Sequence, residues 1–371
     1  MKILHATTFL NGGAGRVLMD LATLQKHKGH EVYVVANKTE YEGYFHYKEY
    51  LQAMKEHKIK VLLYDSLFIR EKRLNQNAIR GISNYFNRYE CFDVIHAHAS
   101  IPAYVTKKAL IQNKDMLVIQ TMHGWGSNKT PLMEKQDVQI MNSLNHVVAL
   151  TKSDKISLIT KGVKQSKIKI IPNGIKKKQS KKKLPRKIAN FIRQKWDFKI
   201  LCIGEIGDRK NQKYLVETIN KAYQLGHRFC IVLVGPEEKP GYYEENIEKL
   251  CDKELLLRTG EVKEASKFIS HFDCLILPSK SEGMPITILE AFREKTLVMG
   301  SDIPGIKDVI KNNKNGFIFK LKKNNDLLKI LINLDEDTKI NVIKSARKEF
   351  LEKYTIENVA EKYQKIYISQ A

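Results

Sequence analysis

Glu282 and Glu290 stand eight positions apart around Gly283-Met284-Pro285, directly after the apolar run 274–277 and the break Pro278-Ser279. The order strand, loop, helix start, helix places Glu282 at or just before a helix N-terminus. Free N–H groups and the positive end of the helix dipole can hold a phosphate there. Glu290 falls about two turns further on, on nearly the same face. One carboxylate can meet a sugar near the phosphate while the other reaches a second hydroxyl-bearing part of the ligand, which suits a sugar nucleotide. Two glutamates on one helix face are usually just solvated. The Gly-Met-Pro insertion, the buried-type strand and the apolar Ile286, Ile288 and Leu289 argue for a built site.

Two further groups carry possible chemistry. In 203–212, Ile-Gly-Glu-Ile-Gly-Asp-Arg-Lys-Asn-Gln, the adjacent Arg209 and Lys210 lie at the tip of a loop after a strand. Such a pair can neutralise a diphosphate, although a solvated loop reads the same way. His96 and His98 in Asp93-Val94-Ile95-His96-Ala97-His98, and His123 before Gly124-Trp125, sit at strand carboxyl ends. A lone histidine is more often structural. His123, at a strand-to-loop junction, is the strongest functional candidate. No Cys or carboxylate cluster accompanies these histidines, so no metal site is expected.

Gly12-Gly13-Ala14-Gly15-Arg16 follows the first strand and opens a helix, but it is not G-x-G-x-x-G. The second strand ends in Ala36-Asn37-Lys38, with no acidic residue for a ribose, which argues against NAD. These glycines more plausibly let backbone approach a substrate.

Short apolar runs alternate with helical patterns along the whole chain. Strands are expected at 3–9, 31–36, 60–64, 93–98, 117–121, 146–150 and 168–171, with a helix over 13–28. A second series runs 199–203, 230–234, 255–259, 274–277, 297–300 and 316–319. Continuous β-branched runs between helices imply parallel sheets covered on both faces. The α/β reading is two doubly wound Rossmann-like domains facing a central cleft. Expected boundaries are 1–175, a basic linker 176–187, a second domain 188–350 and a C-terminal helix in 351–371 that packs back toward the first domain.

The 371 residues carry a net charge of +23, of which +19 falls in 1–187 and +4 in 188–371. A basic half can bind nucleic acid or an anionic bilayer, or reflect a Lys-rich proteome. The basic-apolar stretch 67–88 can lie on a membrane surface, although an ordinary amphipathic helix on a sheet is favoured. No aromatic-interleaved basic stripe supports nucleic acid. Cys91, Cys202, Cys230, Cys251 and Cys274 show no paired or metal-type spacing and read as reduced core residues. The N-terminus opens straight into a strand, with no room for a signal peptide, and no apolar stretch reaches 18 residues. The expectation is a cytoplasmic protein, peripheral at most on the inner face of the cell membrane.

Together these segments resemble the family 4 glycosyltransferases, retaining enzymes of the GT-B fold. Residues 274–301 follow that family's E-x7-E region almost position for position. Asp302-Ile303-Pro304-Gly305, Asn315-Gly316-Phe317, Ile171-Pro172-Asn173-Gly174-Ile175, Gly12-Gly13 and His123-Gly124 match its other motifs, whereas 40–90 carry none. The resemblance implies that Glu282 contacts the donor sugar, Glu290 the ribose, His123 the sugar, and Lys210 the diphosphate. Gly13, Gly204, Val262, Gly283, Met284, Pro285 and Ile286 would complete the donor site. Gly12, Arg16, His98 and Trp125 would face the acceptor. No cofactor or metal is implied. The partners would be a nucleotide-sugar donor and a glycan, lipid-linked or anionic polymer acceptor, with no nucleic acid. Two positions depart from the pattern. Glu205 stands where many members have Arg, making Arg209 the candidate second cation, and Lys176 stands where an acid is usual. The alternatives are a sugar-nucleotide epimerase on the same architecture and, less favoured, a basic nucleic-acid-binding protein.

Overall fold

The computed structural model describes residues 1–65, 67–86, 92–111, 115–126, 129–179, 183–323 and 325–369. Two compact units divide the chain: Met1–Lys176 joined by the segment from Thr355 onward, and Lys177–Tyr354. The second division falls later than the expected residue 350. The helix Glu336–Lys353 runs through that position without a break, and Phe350 and Tyr354 are buried. The stretch expected as linker overlaps the start of a helix, Arg186–Ile192, and its residues 180–182 lie outside the described residues.

The first unit contains seven strands: β1 (Lys2–Ala6), β2 (Glu31–Asn37), β3 (Lys60–Tyr64), β4 (Val94–Ala97), β5 (Leu117–Met122), β6 (His146–Ala149) and β7 (Ile168–Ile170). They form a parallel sheet in the order β3-β2-β1-β4-β5-β6-β7. β1, β4 and β5 are buried along almost their whole length, which explains why they read as continuous apolar runs rather than alternating ones. The chain's last helix, Ile356–Ile368, belongs to this unit. Ile356, Val359, Ala360, Tyr363, Ile366 and Tyr367 recur at helical spacing and are buried together with Ile3, Leu21 and Val94. Its N-cap Thr355 accepts a hydrogen bond from the Asn358 N–H. The helix comes so close to the Asn173-Gly174 turn that a Cβ on Gly174 would lie 2.7 Å from a Val359 methyl.

The second unit contains β8 (Phe198–Ile203), β9 (Phe229–Val234), β10 (Leu256–Arg258), β11 (Cys274–Leu277), β12 (Leu297–Ser301) and β13 (Phe317–Phe319). Their order is β10-β9-β8-β11-β12-β13, again all parallel. In each sheet the strand order reverses once, between β1 and β4 and between β8 and β11. Such a switch point opens a crevice beyond the strand carboxyl ends, where ligands of doubly wound sheets bind.

Within the basic stretch 67–88 the helix spans Lys72–Tyr85, while residues 87 and 88 lie outside the described residues. Ala78 and Ile82 are buried in the core of the first unit, and Lys72, Arg73 and Arg80 are exposed. The apolar stripe is therefore occupied by its own sheet. Cys202, Cys230 and Cys274 are buried free thiols and Cys251 is half-buried; Cys91 lies outside the described residues. No helix among the described residues is long and apolar enough to cross a membrane.

Candidate active site

In the second unit the loops after β8 and β11 meet at the switch point. They are joined by backbone and side-chain bonds: the Lys280 N–H donates to the Arg209 carbonyl (2.8 Å), and the Asn211 amide donates to the Pro278 carbonyl (3.0 Å). Glu282 lies where they converge. Its Oε1 accepts from Lys210 Nζ at 2.6 Å and from the Ser279 hydroxyl at 2.7 Å. Arg209 reaches its other oxygen at 3.4 Å and the Ser281 carbonyl at 3.3 Å. The Glu282 side chain is only 8% exposed, whereas Arg209 is 47% exposed. A carboxylate this buried needs these partners. The trio carries two positive charges and one negative, so the site retains one net positive charge for an incoming anion.

The helix after β11 starts at Ile286, with Pro285 as its N-cap. Glu282 therefore lies in the preceding loop, and the expectation that it shares a helix face with Glu290 is corrected. The chain bends at Gly283 and Met284, and the extended Pro285 leads into the helix, so Gly283 sits three residues before the first helical turn. Met284 and Pro285 are buried, and Ile286 is half-buried. Glu290 is on the helix and 6% exposed. Gly305 is essential to this loop. Its φ is +80°, and a Cβ there would fall 1.7 Å from the Gly283 carbonyl oxygen. Gly204 opens the β8 loop next to the Lys210 stem, and Val262 is half-buried in the loop after β10. Glu205 is exposed and stands apart from the Glu282 cluster, which Arg209 joins instead.

The first unit builds a different cluster at its own switch point. His5 on β1 lies opposite His96 on β4, and His98 follows β4. His5 Nδ1 is 3.1 Å from His98 Nε2, and His98 Nδ1 is 2.9 Å from His123 Nε2. His5 Nε2 meets the side-chain amide oxygen Oε1 of Gln25 at 2.7 Å. His96 bonds the Tyr367 hydroxyl (2.8 Å) and the Thr121 hydroxyl (2.7 Å), and Thr121 in turn meets Tyr363 at 2.9 Å. Burial holds all four imidazoles below the ordinary histidine range, with His5 and His123 lowered to about 4. Burial also pushes the Tyr363 and Tyr367 phenols up. The cluster is uncharged.

His5, His96 and His98 bring ring nitrogens within 4.8 Å of one another, a possible cation grouping that their sequence spacing did not reveal. The hydrogen bonds of the cluster already engage both nitrogens of each of these three rings. His98, expected at the acceptor, is only 7% exposed and reaches outward through His123. Trp125 donates to Glu134, and the ammonium groups of Lys129 and Lys161 lie 4.2 and 4.5 Å from its ring centroid. Arg16 and Lys176 both pair with the buried Asp20, at 3.0 and 3.4 Å. Lys176, the second departure from the family pattern, thus has a structural partner. Gly12 and Gly13 form the first turn of the helix Gly12–His27, where Gly13 is exposed.

Sequence reasoning missed His5, Gln25, Ser279, Tyr363 and Tyr367. Only strand register places His5 beside His96, and only the returning last helix brings in the tyrosines. Ser279 carried a local signal, since with Pro278 it forms the break after the strand whose loop holds Glu282.

The description "Glycosyltransferase Family 4" matches residues 11–179, and "Glycosyl transferases group 1" matches 185–349. A galactosyltransferase of Escherichia coli, UDP-Gal:alpha-D-GlcNAc-diphosphoundecaprenol alpha-1,3-galactosyltransferase, is 24% identical over 325 residues, covering 79% of this chain and 81% of that protein. The N-acetyl-alpha-D-glucosaminyl L-malate synthase of Bacillus anthracis is 20% identical, covering 96% and 93%. The fold matches Anabaena HepE, crystallised with UDP-glucose, at a TM-score of 0.82 and 17% identity over the whole of both chains. The chain belongs to the family 4 glycosyltransferases and has their GT-B fold of two Rossmann-like domains.

Proposed function

We propose that the protein transfers a sugar from a nucleotide diphosphate sugar to an acceptor hydroxyl with retention of anomeric configuration. The observation that carries this is the convergence of Lys210 and Arg209 on Glu282 at the β8/β11 switch point. The HepE complex with UDP-glucose supports the donor class. In the second unit Lys210 and Arg209 neutralise the diphosphate, Glu290 holds the ribose and Glu282 contacts the sugar; in the first unit His123 is a sugar-binding residue. The bond from the anomeric carbon to the phosphate oxygen breaks through an oxocarbenium-like transition state. The acceptor oxygen attacks from the leaving-group side, and its proton passes to a phosphate oxygen. Negative charge then grows on the diphosphate, where the two cations and the N–H groups opening the helix Ile286–Glu294 stabilise it. This electrostatic set does the work a metal does elsewhere, so the reaction is metal-independent.

The acceptor is a lipid-linked or cell-envelope glycan. The E. coli relative's diphosphoundecaprenol acceptor and the basic first half support that reading. The exposed cations of the helix Lys72–Tyr85 would provide electrostatic contact with an anionic bilayer, since its apolar face is buried. The enzyme would work in the cytoplasm, at the inner face of the membrane. A screen of nucleotide sugars for hydrolysis and thermal stabilisation, followed by Glu282→Ala and Lys210→Ala, tests the assignment. Near-normal transfer by both folded variants would sink it. Product formation from donor alone, with an epimerised sugar and no acceptor, would favour the epimerase reading instead.

A further inference from the structure

The buried cluster in the first unit has a proton order that one residue sets. The Gln25 side-chain carbonyl oxygen Oε1 faces His5 Nε2 at 2.7 Å, and its amide nitrogen faces the Tyr367 hydroxyl at 3.4 Å. A carbonyl oxygen only accepts, so His5 carries its proton on Nε2. A neutral imidazole has one donor and one acceptor. His5 Nδ1 therefore accepts, His98 Nε2 donates to it, and His98 Nδ1 accepts in turn. His123 must then donate from Nε2, which leaves a lone pair on Nδ1. That nitrogen is the one in the chain of three rings with no hydrogen-bond partner among the described residues.

Every element packed against the chain keeps it neutral. Its neighbours are His96 on β4, Thr121 at the end of β5, and Tyr363 and Tyr367 on the last helix. The nearly parallel rings of His96, His98 and His123 stack with centroids 4.5 and 5.2 Å apart, so a charge on one ring disfavours a charge on the next. Asp20, on the same helix as Gln25, is committed to Arg16 and Lys176.

We infer that Gln25, His5 and His98 are positioning residues that fix the tautomer of His123, so that its Nδ1 is a permanent acceptor for a hydroxyl of the bound sugar. The relay makes His123 a one-way reader: it accepts from a hydroxyl and cannot donate to a carbonyl or ether at the same place. A sugar lacking that hydroxyl loses the contact. The nature of the ligand rests on the proposed sugar-nucleotide reading; the tautomer does not.

The test is 15N NMR of the histidine-labelled full-length protein without ligand. His123 is expected as the Nε2–H tautomer with an unprotonated Nδ1. In Gln25→Met, which removes the amide while keeping the bulk, His123 is expected to populate both tautomers. An Nδ1–H tautomer in the wild type overturns the inference, because the Gln25 amide would then be reversed. So does an unchanged single tautomer in the variant. A zinc titration that shifts the His5, His96 and His98 signals together at stoichiometric metal would also overturn it, by showing a cation site in place of the relay. Kinetics separate positioning from structure: Gln25→Met should lower kcat/KM for the sugar donor about tenfold. Binding of the bare nucleoside diphosphate should be unchanged. Equal loss of both would mark a merely structural role. If the wild type transfers no sugar, the functional reading fails while the NMR result still decides the relay.

Discussion

The two switch points handle polarity in opposite ways. In the second unit, Lys210, Arg209 and Glu282 form a charged, partly exposed trio with net positive charge. In the first unit, four imidazoles and two phenols form a buried network with no net charge. Both sites grow from the same topology, with a reversal of strand order beside the first strand of the sheet. Topology supplies the place, and the residue types supply the chemistry. A charged trio suits a leaving group that gains negative charge, and a neutral array of fixed donors and acceptors suits hydroxyl recognition.

That contrast can be broken at its charged end first. Lys210→Ala should lower kcat by about 10²–10³, the range for losing one preorganised contact to developing charge, or about 3–4 kcal/mol. Lys210→Arg should restore part of the loss. Steady-state kinetics on variants with unchanged circular dichroism would check this. Comparable rates for Lys210→Ala and wild type would remove the charged site from the chemistry.

The neutral end predicts a pH effect on stability. His5 titrates near 4 in the folded chain and near 6.5 in the unfolded one. Between those values the unfolded chain binds the extra proton, so stability present above pH 6.5 is lost as pH falls toward 4. His5 alone contributes a loss of about 3 kcal/mol across that window. His96, His98 and His123 act in the same direction. Thermal unfolding from pH 7 to 4.5 should show a falling midpoint, and His5→Gln should flatten the slope. A midpoint independent of pH would mean that the rings are charged or exposed.

Two smaller effects sharpen the charged side. Glu205→Ala should leave kcat/KM within about twofold, because Arg209, not residue 205, joins the cluster. A large gain would mean that Glu205 represses donor binding. EDTA should leave transfer unchanged. Abolished activity restored by a divalent cation would contradict neutralisation by Lys210 and Arg209.

The second unit's site was legible in the sequence because its residues lie in two short segments, 204–212 and 278–290, each with strand, break and charge in local order. What sequence misplaced there was the helix start. Pro285 and Gly283 move it to Ile286 and leave Glu282 in a loop, where it meets Lys210 rather than sharing a face with Glu290. Both sheets were legible from their apolar runs. The histidine network was not, since it draws on residues 5, 25, 96, 98, 121, 123, 363 and 367. Neighbours so far apart in sequence meet only through strand register and the return of the last helix.

The most direct test is calorimetric titration of the full-length protein with nucleoside diphosphates and their sugar conjugates, repeated on Lys210→Ala. The account predicts that at least one nucleotide diphosphate sugar binds and that Lys210→Ala weakens it tenfold or more. Absence of binding by every member of the panel, or equal binding by the variant, would contradict it.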